Sequence, residues 1–203
     1  MNILLLGGCG VKATWAPITV DERFCDADDQ QLIQWARDDR QAFAELYRRH
    51  APAVFWYLLT CSASESDAAD LSQQVFLRAL EALPRYHQRT VAVRPWLLRI
   101  ARNATIDAHR RRRHRTPWQR LEAVLLPDHS PGPEALAIQR EDAGRVSVLL
   151  GQLSDEKREL LALRFAGDLT IAEIAEMVGK NEEAVKKQLQ RLVRWLKEEY
   201  DAN

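Results

Sequence analysis

Two clusters of side chains in this chain have the chemistry to hold a polyanion. Between Arg85 and Arg115 ten arginines stand against a single acid, Asp107, with Tyr86, His87 and Trp96 interleaved among the first of them. A guanidinium stays charged at any working pH, pairs with phosphate through a fork of donors and stacks on flat rings. Cations mixed with aromatics at this density suit a nucleic-acid backbone together with exposed bases. The second cluster is Lys186, Lys187, Gln190, Arg191 and Arg194, repeating at three- and four-residue intervals. That spacing sets the group along one side of a helix, where lysine and arginine can reach phosphates or guanine edges and glutamine can reach adenine.

Bond-making chemistry has no comparable cluster. Asp107 has no visible partner for proton transfer and reads as a brace for Arg110 or Arg111. His87, His109 and His114 lack a metal-ligand spacing, as do Cys9, Cys25 and Cys61, so no catalytic residue, metal or cofactor is expected. The odd, scattered cysteines suit reduced thiols in a cytoplasmic protein. Leu6-Gly7-Gly8-Cys9 imitates a lipoprotein cleavage site, but no Lys or Arg precedes it and its apolar run is only Ile3 to Leu6. A signal peptide needs a basic head and an apolar core, and no stretch approaches the roughly 18 apolar residues of a membrane span. Neither membrane insertion nor export is therefore expected, and residues 1–23 read as a poorly ordered extension.

The elements that must position these clusters are helical. The 203 residues carry 29 basic and 29 acidic side chains, a formal net charge of zero that hides strong segregation. Asp21 to Arg49 holds eight acids and five bases, the reverse of the Arg85 to Arg115 stretch, which points to a localised basic surface. From Asp28 to Leu59 apolar residues recur at helical spacing in two helices, broken near Asp38-Asp39 or His50-Ala51-Pro52. A third helix is predicted from about Asp67 to Leu83, with Leu71, Val75, Ala79 and Leu83 as its buried stripe. After an irregular joint from Pro84 to Pro95, Pro95 suits the first position of a helix whose inner face is Leu97, Ile100, Ala101, Ala104 and Ala108. Arg99, Arg102, Arg110 and Arg113 fall wholly or partly off that face, and Ile106 lies on the arginine side.

The stretch PDHSPGPEA, Pro127 to Ala135, holds three prolines and a glycine and marks a connector. Beyond it, Asp155 to Phe165 reads as one helix. Thr170 with Glu173 makes a capping box, Ile171, Ile174, Ala175 and Val178 form an inner side, Gly179 ends that helix, and Asn181 caps the next. Val185, Leu189, Leu192 and Leu196 are the inward stripe of the last helix, opposite its cations. Two short helices joined by a glycine-containing turn describe a helix-turn-helix, whose second helix enters the major groove N-terminal end first. The fold class is all-α: two small helical domains, 24–116 and 137–203, joined by a flexible Pro-rich linker over 117–136.

Three stretches in this order resemble one family. AADLSQQVFLRALEAL (Ala68 to Leu83), RPWLLRIARNATIDAHRRRR (Arg94 to Arg113) and LSDEKRELLALRFAGDLTIAEIAEMVGKNEEAVKKQLQRL (Leu153 to Leu192) are similar to the bacterial RNA polymerase sigma factors of the extracytoplasmic-function group. The resemblance implies a non-catalytic promoter-specificity subunit that binds core polymerase, recognises two promoter elements and assists melting. It places Asp67, Asp70, Gln73, Gln74 and Phe76 at the surface that meets the clamp helices of the largest polymerase subunit, with the β flap as a further contact. Arg85, Tyr86, His87, Arg89, Trp96, Arg99, Arg102, Asn103, Arg110, Arg111 and Arg113 take the unpaired −10 element. Thr170, Glu182, Glu183, Lys186, Lys187, Gln190 and Arg191 read the duplex −35 element. An anti-sigma factor or an activating Ser/Thr kinase would be its regulators.

The chain departs from the family pattern at Ala69 and Gln74, where acids are usual, and at Glu182-Glu183, where small or hydroxylated residues are usual. Phosphorylation of Ser64, Ser66 or Ser72 would restore negative charge beside the first of these. Acids at the second favour the helix dipole and can accept from a cytosine amine. Simpler readings stand beside these: Trp96 as core packing, and Arg110 to Arg115 as a solvated helix end. The main alternative function is a stand-alone helix-turn-helix regulator, which leaves the Arg85 to Arg115 cluster idle. A helical protein that sequesters a regulator leaves both clusters idle.

Overall fold

The structure, a computed structural model, describes residues 22–62, 64–86, 92–113 and 145–202. Among the described residues the chain forms two compact units, one holding 22–113 and the other 145–202; the expected linker 117–136 lies outside the described residues. Among the described residues both units are helical throughout.

The first unit opens with a 3-10 turn, Glu22–Phe24, followed by α1 (Asp29–Trp35) and α2 (Arg40–Cys61). Asp28 caps α1 through a full capping box, accepting from the Gln31 N–H at 2.7 Å while Gln31 accepts from the Asp28 N–H at 3.3 Å. The break before α2 falls at the first of the two expected places, where the Asp39 carboxylate accepts from the Gln41 N–H at 2.8 Å. Pro52 lies inside α2 instead of ending it. It removes one helical hydrogen bond, a cost of about 3 kcal/mol, which the burial of Val54, Tyr57 and Leu58 one turn on offsets.

α3 (Glu65–Ala82) runs into a 3-10 turn, Leu83–Arg85, and α4 spans Val93–Arg113. Leu71, Val75, Ala79 and Leu83 are all buried, as their four-residue repeat predicts. α2, α3 and α4 pack pairwise, so each supplies part of one core. Ser64 caps α3, its hydroxyl accepting from the Asp67 N–H at 3.1 Å.

An ionic knot ties the start of this unit to α2. The Glu45 carboxylate, wholly buried, accepts from Arg48 Nε and Nη2 and from Arg49 Nε, each at 2.6 Å. Arg49 spans from there to the carbonyls of Phe24, Cys25 and Ala27 and to Asp29 at 3.2 Å. Asp29 also pairs with His50 Nε2 at 2.7 Å. The backbone from Phe24 to Ala27 is thereby tied to α2.

In the second unit α5 covers 145–151, and α6 (Asp155–Leu161) continues through a π turn, Ala162–Ala166, to the expected end near Phe165. α7 is Ile171–Val178 and α8 is Glu182–Ala202. Arg158 holds the α5 to α6 corner, donating to the carbonyls of Leu150 and Leu153 at 3.2 and 3.0 Å. The core is Leu149, Leu160, Leu163, Leu169, Ile174, Val185, Leu189 and Leu192.

Hydrogen bonding from Arg48 holds the Glu45 carboxyl below its ordinary range, and hydrogen bonding from His50 does the same for Asp29. A carboxylate depressed in the folded state stabilises fully above its unfolded pKa, and that stability is lost as pH falls through the folded value. Glu45→Ala is expected to cost about 2–3 kcal/mol at pH 7 and to flatten the acid limb below about pH 4, read by urea denaturation across pH. An unchanged urea midpoint at pH 7 would contradict the assignment.

Candidate nucleic-acid interface

α4 begins at Val93, two residues before the expected start, so Pro95 is its third residue and not its first. Its missing N–H is still one of the first-turn groups without a helical partner, and the Trp96 N–H closes the turn on the Ala92 carbonyl at 3.1 Å. The buried side is Leu97, Leu98, Ala101, Ala104 and Thr105. Ile100 and Ala108, expected inside, are only half-buried, while Leu98 is wholly enclosed. The apolar face is therefore rotated by about one residue toward Leu98, and Thr105 is accommodated because its hydroxyl donates to the Ala101 carbonyl at 3.0 Å.

On the opposite side Asn103, Ile106, Asp107, Arg110 and Arg111 are exposed, with Arg99 and Arg102 half-buried. Asp107 does not brace Arg110 or Arg111. Its carboxylate lies 3.8 Å from Arg78 of α3. The side chain of Arg113 and residues His87 and Arg89 lie outside the described residues.

At the foot of α4 the Tyr86 and Trp96 rings meet with centroids 4.5 Å apart and an interplanar angle of 48°. Tyr86 is 5% exposed, so its ring is a support and not an open stacking surface. Burial, with the Asp29 charge adding, pushes its hydroxyl above the ordinary value. Trp96 is half-buried, its ring tilted against that of Tyr86. Arg85 is exposed at the end of the 3-10 turn.

On α3, Asp70, Gln73 and Gln74 are exposed and Asp67 is half-buried, hydrogen-bonded to Ser64. Phe76, expected at the polymerase contact, is 5% exposed with its ring edge-on to Tyr47 at 4.6 Å, so it supports this face from within the core. Leu77 and Leu80 are exposed beside the polar residues, at 61% and 41%. Both were legible in the sequence as leucines off the 71-75-79-83 stripe. Ser72 is enclosed, its hydroxyl oxygen without a hydrogen-bond partner, so it is closed to a kinase, whereas Ser66 is exposed.

In the second unit the helix-turn-helix is α7 and α8 joined by Gly179, Lys180 and Asn181. Gly179 adopts φ 68°, and the Lys180 N–H donates to the Ala175 carbonyl at 3.0 Å. The Asn181 side chain accepts from the Glu183 N–H at 2.8 Å, capping α8 as its sequence suggests. Thr170 is engaged in its capping box, accepting from the Glu173 N–H and donating to the Glu173 carboxylate at 2.7 Å, and so acts on α7 itself. Glu182, Glu183, Lys186, Lys187, Gln190 and Arg191 are exposed together, opposite buried Val185, Leu189 and Leu192. Glu183 lies 3.7 Å from Lys187, one turn along. Lys180 reaches across the turn to Glu156 of α6.

Each unit thus presents cations on a helix whose other side is core. Such surfaces can neutralise phosphates and contact bases. Among the described residues no group of three or more metal-ligating side chains is gathered, and no helix is long and apolar enough to cross a membrane.

Comparison with known proteins matches the two units separately. Residues 46–115 fit the family model for Sigma-70 region 2, and residues 143–196 fit that for Sigma-70 region 4. The ECF RNA polymerase sigma factor SigD of Mycobacterium tuberculosis is 33% identical over 178 residues, covering 84% of this chain and 82% of SigD. BldN of Streptomyces coelicolor, also an ECF RNA polymerase sigma factor, is 28% identical over 167 residues, 82% of this chain but only 63% of BldN. Among solved structures, the sigma factor RpoE in complex with the anti-sigma factor NepR from Bartonella quintana has a TM-score of 0.66 at 20% identity, covering 79% of this chain and 98% of that one.

The turn geometry makes a direct prediction. A Cβ at Gly179 would meet nothing within 4 Å, so Gly179→Ala carries the strain of the left-handed backbone alone. The expected loss is about 1 kcal/mol, with Gly179→Asn milder, measured by thermal denaturation. Equal stability of the alanine variant and the parent would contradict the left-handed turn.

Proposed function

The chain belongs to the ECF sigma factors of bacterial RNA polymerase, and on that basis we propose that it is the promoter-specificity subunit, with the contacts divided among three of its helices. It binds core enzyme, directs it to promoters and assists melting, and it performs no catalysis of its own. The observation that carries the division of labour is that α4 and α8, in separate units, each expose cations opposite a buried apolar stripe. A stand-alone helix-turn-helix regulator has use for only the second of these.

The outer side of α3 is the polymerase contact. Asp67, Asp70, Gln73 and Gln74 offer acceptors to a basic surface, and Leu77 and Leu80 add apolar area where Ala69 and Gln74 leave the patch short of acids. The clamp helices of the polymerase's largest subunit are the proposed partner here, with the β flap a further contact for the second unit. Arg85, Trp96, Arg99, Arg102, Asn103, Arg110 and Arg111 serve the unpaired −10 element: arginines hold phosphates, and the outer part of the Trp96 ring stacks on a base. Each stacked base is worth about 1–3 kcal/mol, enough to hold open a base pair that costs a few kcal/mol to part. Glu182, Glu183, Lys186, Lys187, Gln190 and Arg191 serve the −35 duplex element. The Glu183 pairing with Lys187 aims that lysine while leaving Arg191 to phosphate. The proposal extends to an anti-sigma factor as the regulator and to a cytoplasmic site of action.

Transcription by core polymerase from supercoiled DNA tests the proposal. Adding the chain is expected to yield transcripts from defined start sites, and Lys187→Ala with Arg191→Ala should weaken duplex-element recognition about ten-fold or more while sparing a preopened template. Arg110→Ala with Arg111→Ala should chiefly impair opening. Its defect should narrow as salt rises, because each lost single-strand phosphate contact removes about 0.7 from the log–log salt slope. Unprimed core enzyme performing equally well, or both double variants weakening every template alike, would refute the division.

A further inference from the structure

Tyr86 is held at its N–H, its ring and its carbonyl. Its N–H donates to the Leu83 carbonyl at 3.2 Å, its ring is enclosed against Trp96, and its carbonyl oxygen accepts from Arg37 Nη2 at 3.0 Å. The last of these comes from 49 residues earlier in the chain, in the break between α1 and α2. That break is itself a rigid corner. The N–H groups of Asp38 and Asp39 both donate to the Trp35 carbonyl, at 3.0 and 2.8 Å, Asp39 caps α2, and Arg23 lies 3.4 Å from Asp39. Arg37 is exposed, so its cation contributes little to the core. A long side chain loses rotamer freedom when it is held to one acceptor, and the acceptor it holds is the backbone of the residue that backs Trp96.

We propose that Arg37 is a positioning residue for promoter opening: its guanidinium fixes the Tyr86 backbone so that the Tyr86 ring holds Trp96 at the angle in which its outer surface receives an unpaired base. The inference rests on the reading that the foot of α4 takes the unpaired strand. Arg37 touches no DNA. It acts through the ring pair, and its effect depends on the presence of the Trp96 ring. A lysine at 37 can still donate to the Tyr86 carbonyl, though without the planar fork, whereas glutamine is too short to span the same gap.

The test uses holoenzyme reconstituted from core polymerase and the full chain, on duplex promoter DNA carrying 2-aminopurine in the −10 element, whose fluorescence reports unpairing and stacking. Arg37→Gln, Arg37→Lys, Trp96→Leu and the Arg37→Gln/Trp96→Leu double variant are compared, with Arg110→Ala/Arg111→Ala as the reference for strand capture. Arg37→Gln is expected to lower the open fraction constant about five-fold, Arg37→Lys to retain most of the parent's opening, and Arg37→Gln to add less than about two-fold once Trp96 is leucine. Holoenzyme assembly and thermal midpoint should stay at the parent's values. Parental opening in Arg37→Gln with an impaired Arg110/Arg111 reference overturns the inference alone. Independent effects in the double variant, or a loss matched by lower stability or assembly, overturn it as well. An unimpaired Arg110/Arg111 reference overturns the reading beneath it and the inference together.

Discussion

Helix α4 can end in consecutive arginines because its other side leaves water against α2 and α3. Like charges one turn apart on a helix cost about 0.2–0.5 kcal/mol per pair, and the spacing of Arg99 with Arg102 and of Arg110 with Arg113 sets two such pairs along α4. Burying Leu97 and Leu98 contributes about 1.5–3 kcal/mol each, before the alanines are counted. The apolar side outweighs the repulsion, so the charge can stay concentrated at this end of α4. Asp107, the one acid in the run, lies 3.8 Å from Arg78 of α3.

The second unit solves the same problem by other means. Its cations sit on α8, whose entry angle is set by the left-handed Gly179 and the Asn181 cap, and whose inner stripe of Val185, Leu189 and Leu192 is anchored in core. A formal charge of zero over the whole chain is compatible with two basic faces because acids are placed elsewhere, many of them early in the chain, where Glu45 and Asp29 are consumed by Arg48, Arg49 and His50. The ionic knot thus stabilises the first unit by pairing its early carboxylates within the fold.

Much of this was legible in the residues themselves. The four-residue repeat placed α3 to within about two residues, and capping signals placed α7 and the start of α8, because caps satisfy backbone groups locally and need no tertiary partner. Pro52 was ambiguous, since whether a proline ends a helix depends on how much its neighbours bury. The inner face of α4 came out rotated because Leu97 and Leu98 are adjacent and periodicity alone does not decide between them. Phe76 and Ser72 look like surface candidates by family position, yet their burial depends on where α2 packs against α3. Nothing local marks Arg37, whose partner lies 49 residues away.

The central claim is that two basic faces on separate units contact different parts of one promoter within the holoenzyme. Photoreactive side chains placed at Arg110 and at Lys187, in polymerase bound to an open promoter, measure this most directly through the DNA positions each one labels. Labelling is expected on the non-template strand in the melted −10 region from position 110 and on the −35 duplex from position 187, with both dependent on core enzyme. Labelling of the same element from both positions, or an unchanged pattern without polymerase, would contradict it.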